Sequence, residues 1–158
     1  VVLAALDAEE GGLNGARAFV AGPTPGVDFS RVGLNVNFDM ISKNTKNELY
    51  AAGAYHTPLL EAPLKRVAAR APVSLLLGHD RPELGQGDWT LQSDHAAFHQ
   101  AGVPFVYLGV EDHPEYHQPT DDFETVPQDF FLRAVDTAIL VVRELDAVLP
   151  EIAAARRR

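Results

Sequence analysis

The chain has 158 residues, of which 46% are hydrophobic and 22% are charged; it carries a formal net charge of −9 and no cysteine. This length and composition predict one globular domain with a substantial core, spanning residues 1–158. The acidic balance argues against a nucleic-acid-binding surface. The lack of cysteine excludes disulfides and thiolate metal sites, and no apolar run is long enough to span a membrane.

Residues 1–10, VVLAALDAEE, organise the expected fold. Six apolar residues run into an acidic end, which is typical of a strand buried on both faces. Glu9 and Glu10 would then stand at the carboxyl end of that strand, where ligands bind in open α/β sheets. The chain opens in mid-strand without methionine, so we expect Val1 to be a cut. Loss of neighbouring strands would expose a sheet edge and favour self-association.

Strand and helix patterns alternate along the rest of the chain. Helices are expected at 13–20, 57–70, 93–101 and from about 127, and strands at 34–41, Glu48–Ala52, 73–77 and 103–110. Ser93 is a candidate N-cap, strands 34–41 and Glu48–Ala52 resemble a hairpin, and the arginines at 156–158 suit the end of a helix dipole. In the last helix the predicted apolar stripe is Phe131, Val135, Ala138, Val142, Leu145 and Leu149. The pattern predicts a three-layer α/β/α sandwich with a mixed sheet.

Three clusters of acids and histidine lie at predicted strand ends or in the loops after them, at residues 7–10, 37–40 and 116–121. Carboxylate and imidazole groups without thiolates suit zinc, or a harder divalent ion, in a catalytic site. A carboxylate beside the metal-activated water acts as general base. Asp39 stands in an otherwise apolar strand, where an unpaired carboxylate costs several kcal/mol, so it needs a cation or hydrogen bonds.

Simpler interpretations exist for several of these residues. Glu9 and Glu10 could be first-turn acids that favour a helix dipole, and His117 could be a solvated loop histidine unless Asp121 orients its ring. The run Ser93-Asp94-His95 has the composition of a nucleophilic triad, but sequential neighbours rarely meet in triad geometry. Surface positions are expected for the other histidines, His56, His79, His99 and His113. The aromatic residues Trp89, Phe105 and Tyr107 fit either a pocket or the core.

Four ordered motifs, DAEEGGLNGARAF, LNVNFDMI, QSDHAAFHQAGVPFVYL and YHQPTDD, resemble the co-catalytic di-zinc exopeptidase family. That family includes bacterial leucyl-type aminopeptidases and glutamate carboxypeptidase relatives. The resemblance covers residues 1 to about 123 and adds a family-like closing helix. It implies a phosphorylase/hydrolase-like α/β/α sandwich, a peptide substrate and two zinc ions in the intact protein. Export to a periplasm or the cell exterior is expected by analogy.

The resemblance also implies roles for individual residues. Glu9 matches the general base, Glu10 and His117 match ligands of one zinc, and Asp39 matches a ligand of the other. Tyr116 matches a tyrosine that hydrogen-bonds the oxyanion in some relatives. Two further acids are implied around the site: Asp121, which would support the loop or orient a metal ligand, and Asp94, within a Ser-Asp-His signature that shapes the site without binding metal.

One family motif is missing: no His-x-Asp occurs in this sequence, although the family uses its histidine as a ligand and a further aspartate as the bridge between the zincs. Family catalytic domains are also longer. We therefore expect this chain to be the C-terminal part of a catalytic domain that lacks its N-terminal strands, to bind zinc partly or not at all, and to be inactive alone. Two alternatives stay open, a zinc-dependent acyltransferase like the glutaminyl cyclases and a non-catalytic interaction domain of the same fold.

Overall fold

The computed structural model describes residues 1–22, 24–154 and 156. It contains a four-stranded sheet of β1 (Asn35–Phe38), β2 (Glu48–Ala52), β3 (Ser74–Leu77) and β4 (Phe105–Gly109), in the order β1-β4-β2-β3. The helices are α1 (Asn14–Ala21), α2 (Glu61–Ala68), α3 (His95–Gln100), α4 (Gln128–Asp146) and α5 (Leu149–Ala154). Short 3-10 turns occupy Phe29–Arg31, Pro58–Leu60, Pro82–Gly87 and Phe123–Thr125. Of the C-terminal arginines, only Arg156 is among the described residues.

Strand β4 is an inner strand that lies between β1 and β2, and all five of its residues are buried. It pairs in parallel with β1, with Asn37 opposite Tyr107, and antiparallel with β2, with Ala51 opposite Leu108. The mixed sheet is confirmed. The predicted hairpin between 34–41 and Glu48–Ala52 is wrong, because the more apolar β4 lies between those two strands and leaves β1 at the edge.

Helices cover both faces of the sheet, which confirms the three-layer architecture. Val106 and Leu108 of β4 face a core shared with α2 and α4. Phe105 and Tyr107, which alternate with them, pack on the other face against Trp89. Helices α1 and α3 contact each other and form a smaller apolar cluster around Ala16 and Phe98. None of the described helices is both long enough and apolar enough to cross a bilayer.

The N-terminal segment differs most from its prediction. Residues 1–8 form no strand, and Val1, Val2 and Leu3 are exposed. A buried strand needs hydrogen-bonded neighbours for its backbone, and none of the four described strands pairs with this segment. The apolar run alone therefore does not bury residues 1–8, and the prediction of a strand buried on both faces is wrong for this structure.

The buried face of α4 is also shifted from the predicted stripe. Ala138 and Leu145 are buried as predicted, but Phe131 is exposed and Phe130 faces the core instead. Thr137 is fully buried. Its hydroxyl donates to the carbonyl of Arg133 one turn earlier, so burial leaves no unpaired hydroxyl. A polar residue that satisfies itself on the helix backbone can thus replace an apolar one on the core face.

Candidate functional site

A turn places the two glutamates ahead of α1. Ala8 has a left-handed φ of 57°, and the carbonyl of Glu9 accepts hydrogen bonds from the N–H groups of Gly12 and Leu13. A Cβ at Gly15 would lie 2.4 Å from the carbonyl oxygen of Asp7. Only glycine lets α1 approach the preceding backbone so closely. Gly15 therefore helps to determine the position of the turn that carries Glu9 and Glu10.

Glu10 and His117 meet directly. Oε1 of Glu10 lies 2.9 Å from Nε2 of His117, although the two residues are 107 positions apart. Both side chains are largely open to solvent, with 76% of Glu10 and 53% of His117 exposed. The ring of Tyr116 stacks on that of His117 at a centroid distance of 3.9 Å. The structure thus joins the N-terminal turn to the loop that follows β4.

Asp39 lies directly after β1 and is held by a directed chain of hydrogen bonds. The side-chain amide of Asn37 donates to Oγ of Ser93 at 2.9 Å, and the Ser93 hydroxyl donates to Oδ2 of Asp39 at 2.7 Å. Met40, the next residue, has a left-handed φ of 54° and turns the chain away from the sheet. Ser93 is therefore not the predicted N-cap of α3; its hydroxyl fixes one oxygen of Asp39.

The carboxylates of the site are close enough to affect one another. Partial burial raises the pKa of Glu9, and the charges of Asp39, Glu10 and Asp94 raise it further against the opposing effect of His117. Burial and the charge of Asp39 also raise the pKa of Asp94. A general base works best when its pKa approaches the working pH, so this environment shifts Glu9 toward that role.

Two tyrosines border the same acids. Burial, followed by the charges of Asp112, Glu10, Asp39 and Glu9, raises the pKa of Tyr116. Burial, followed by Asp39, raises the pKa of Tyr107 well above its usual range. Both phenols therefore stay protonated and keep a hydrogen to donate. The sequence allowed either a pocket or a core position for Tyr107. In the structure Tyr107 is buried, and its charged neighbours include acids of the candidate site.

The Ser93-Asp94-His95 run forms no catalytic triad. His95 is fully buried, and its ring stacks on Tyr107 at 4.6 Å. Its Nε2–H donates to the carbonyl of Trp89 at 2.9 Å, and burial lowers its pKa to about 4. His95 is thus a neutral packing residue, while Ser93 bonds Asp39 and Asp94 lies near Asp39 and Glu9.

The remaining histidines are not free surface groups, so that prediction is wrong. Nε2 of His56 pairs with Oγ1 of Thr90, and His79 stacks on Trp89 at 3.6 Å. His99 lies against His56 with ring centroids 4.7 Å apart. His113 lies near two acids of its own loop. All four are partly buried, each against aromatic or polar neighbours.

Asp121 lies on the loop that carries His117, but its contacts lead elsewhere. Its Oδ1 accepts a hydrogen bond from Nζ of Lys43 at 2.8 Å, and its Oδ2 lies 3.7 Å from Nε2 of His113. Lys43 lowers the pKa of Asp121. The acid in contact with the His117 ring is Glu10 and not Asp121.

The sequence of the chain matches a protein-family model over most of its length. A model of peptidase family M28 matches residues 1–142. The chain belongs to peptidase family M28. Among curated proteins, no relative matches it.

Solved structures share the fold of this M28 chain. A zinc aminopeptidase, BSAP, from Bacillus subtilis is 25% identical with a TM-score of 0.68, over 90% of this chain and 34% of that one. The LapA aminopeptidase of Legionella pneumophila is 19% identical with a TM-score of 0.64, over 89% and 38%. An aminopeptidase from Aneurinibacillus sp. strain AM-1 is 20% identical with a TM-score of 0.62, over 90% and 32%. The chain thus spans about a third of the length of these proteins.

The donor groups near His117 can be compared with what a zinc centre needs. Among residues 1–22, 24–154 and 156, no three histidine or acidic side chains are grouped so that they could hold a metal ion. Glu10 and His117 supply one carboxylate and one imidazole, which are donors that zinc accepts, but a catalytic zinc uses three protein ligands. Asp39 stands apart from that pair. The residues present fit the donor chemistry of zinc and fall short of its ligand count.

Proposed function

We propose that this chain serves in the hydrolysis of peptide bonds beside a free chain terminus, with the amino terminus as the preferred end. The single observation that carries the proposal is the contact of Glu10 with His117 beside Glu9, at the end of the sheet where Asp39 also leaves β1. Membership of family M28 supports peptide hydrolysis, and the zinc aminopeptidase BSAP supports the aminopeptidase type.

We assign Glu9 as the general base. Its partly buried carboxylate accepts the proton of the attacking water, and its raised pKa brings it closer to neutral pH than an exposed glutamate. The Tyr116 phenol stays protonated, so it can donate a hydrogen bond to the oxyanion that forms. Zinc, when bound, would polarise the scissile carbonyl and lower the pKa of water toward about 7.

We propose that residues beyond this chain complete the centre. Glu10 and His117 would serve one ion and Asp39 the other, and each ion then needs further ligands. Accordingly, we expect the 158-residue chain to be inactive alone, and a form that extends ahead of Val1 and contains a His-x-Asp motif to be active.

The experiment is Glu9→Gln in such an extended form, with Glu151→Gln as the matched control because Glu151 is an exposed glutamate on α5. We expect Glu9→Gln to reduce kcat on an amino-acid 4-nitroanilide by roughly 10²–10⁴-fold, the usual contribution of a general base. Zinc content should be unchanged. Activity retained in Glu9→Gln at full zinc content would refute the assignment of the base.

Counting the bound zinc ions in the extended form separates this function from that of a glutaminyl cyclase, whose relatives typically bind one. Two ions and release of amino acids from peptides support the peptidase. One ion, with cyclisation of an N-terminal glutamine, would support the acyltransferase instead.

A further inference from the structure

The loop at residues 111–125, here called the His117 loop, joins β4 to α4 with little structure of its own. Its one regular piece is the 3-10 turn Phe123–Thr125. Within the described chain, the backbone hydrogen bonds of residues 112–126 all join members of that same stretch. Such a loop opens easily unless side chains anchor it to the rest of the fold. The position of Tyr116 and His117 therefore depends on those side chains.

Lys43 is the buried anchor of the His117 loop. Only 5% of Lys43 is exposed. Its Nζ donates to Oδ1 of Asp121 at 2.8 Å and to Oγ1 of Thr125, and it lies 3.6 Å from Oε2 of Glu115. A buried ammonium is costly unless it is paired and hydrogen-bonded. These contacts meet that requirement and tie the beginning, middle and end of the loop to one point.

His113 extends the same cluster. Its Nδ1 lies 3.3 Å from Oε2 of Glu115 and its Nε2 lies 3.7 Å from Oδ2 of Asp121. The two carboxylates that face Lys43 are therefore also shared with His113. Glu115 immediately precedes Tyr116, so the cluster restrains the backbone next to both proposed site residues of the loop.

Lys43 also belongs to the segment that leaves β1, four positions after Asp39. The hydrogen bond to Asp121 and the nearby charges raise the pKa of Lys43, so it carries its charge at neutral pH. The ammonium thus links the segment of Asp39 to the loop of His117. Two further ion pairs join the loop to the rest of the described chain: Glu111 lies 3.1 Å from His79, and His117 lies 2.9 Å from Glu10.

We propose that Lys43 is a positioning residue, which fixes the His117 loop against the segment after β1 so that Tyr116 and His117 face Glu9, Glu10 and Asp39. This role rests on the proposed function only for its catalytic consequence, because the restraint on the loop is a property of this chain alone.

The first test is amide hydrogen exchange by NMR in this chain, with Lys43→Met compared with Lys65→Met. Lys65 forms an exposed pair with Glu61 and supplies the same loss of charge away from the loop. We expect the amides of Tyr116, Gln118 and Asp121 to exchange at least tenfold faster in Lys43→Met, with those of β2 and β4 unchanged. Unchanged exchange in the loop, or equal acceleration in β4, would overturn the proposal.

A chemical rescue keeps the test decisive if Lys43→Met folds poorly. The chain has no cysteine, so Lys43→Cys introduces a single thiol. Alkylation of the unfolded variant with 2-bromoethylamine and refolding restores an ammonium at nearly the length of lysine, whereas alkylation with iodoacetamide leaves a neutral amide. Slow exchange in the loop should return only with the ammonium. The same exchange rates for both adducts would show that the charge does not hold the loop.

The second readout is zinc affinity in a form that extends ahead of Val1. Lys43→Met should weaken zinc binding about 10–100-fold, the usual effect of losing a residue that orients metal ligands, and Lys65→Met should not. Unchanged affinity in Lys43→Met would overturn the positioning role. If the unsubstituted extended form binds no zinc, the proposed function fails, and the exchange experiment still decides the role of Lys43.

Discussion

Oε1 of Glu10 lies 2.9 Å from Nε2 of His117, and this contact bridges the two ends of the candidate site. One partner comes from the turn before α1, and the other from the loop after β4. Because both side chains are largely exposed, the contact is not forced by packing in the core. It depends on the two backbone segments that carry these residues, and those segments can be tested separately.

Gly15→Ala should disturb the segment that carries Glu10. The added Cβ would lie 2.4 Å from the Asp7 carbonyl oxygen, so α1 or the preceding turn has to move. We expect a loss of about 1–3 kcal/mol in the free energy of unfolding, as for other overpacked positions. Urea denaturation measures it. Gly78→Ala is the control, because nothing lies within 4 Å of a Cβ at that position; equal effects of the two changes would contradict the prediction.

Ser93→Ala should release Asp39. The variant removes the donor to Oδ2 of Asp39 and the acceptor for the side-chain amide of Asn37, both in a partly buried setting. We expect a destabilisation of about 1–3 kcal/mol, typical of a buried polar group that loses its partner. Urea denaturation again gives the value, with Ser74→Ala on the exposed side of β3 as the comparison. A Ser93→Ala protein as stable as Ser74→Ala would mean that the chain of hydrogen bonds contributes nothing to stability.

Glu9→Gln should stabilise this chain at neutral pH while removing the proposed base. The folded protein raises the pKa of Glu9, so ionisation of Glu9 opposes folding at a pH above that raised value. The gain in Tm should be present at pH 7 and fade as the pH falls through the raised pKa toward 4.5, where the native glutamate becomes protonated in both states. Thermal unfolding between pH 4 and 8 follows the gain, and Glu151→Gln should show none. A loss of Tm at pH 7 would contradict the assigned environment.

Phe38→Lys should reduce any self-association of the chain. Strand β1 lies at the edge of the sheet, and Phe38 at its end is 45% exposed. Lysine on an edge strand opposes pairing with a second copy. Sedimentation equilibrium should show a lower association constant for Phe38→Lys than for Leu132→Lys, a change on the exposed face of α4. Equal association of both variants would place the contact elsewhere.

Local signals in the sequence located several elements and the clusters of the site. The bounds of β2, Glu48–Ala52, agree with the prediction because a polar turn delimits the start of that strand. The family resemblance paired Glu10 with His117, and the structure brings them into contact. The assigned catalytic and metal-binding roles of these residues stay predictions.

What sequence reasoning missed depends on partners far along the chain. The hairpin was wrong because β4, more than fifty residues later, takes the place between β1 and β2. In α4, two adjacent phenylalanines could each have faced the core, and only packing selects Phe130. Lys43 gave no signal at all, since its acceptor Asp121 lies 78 positions away. The strand predicted over residues 1–10 is wrong for the opposite reason, because a strong local pattern has no neighbouring strand among the four that the structure describes.

The direction of β4 has a consequence for how this protein could diverge. Because β1 and β4 run parallel, Asp39 and the His117 loop both leave the sheet at the same rim, while the buried core continues behind them. Insertions and substitutions in the connections at that rim can change which molecules are admitted without repacking the interior. Selection can therefore act on recognition and on folding almost independently in this chain.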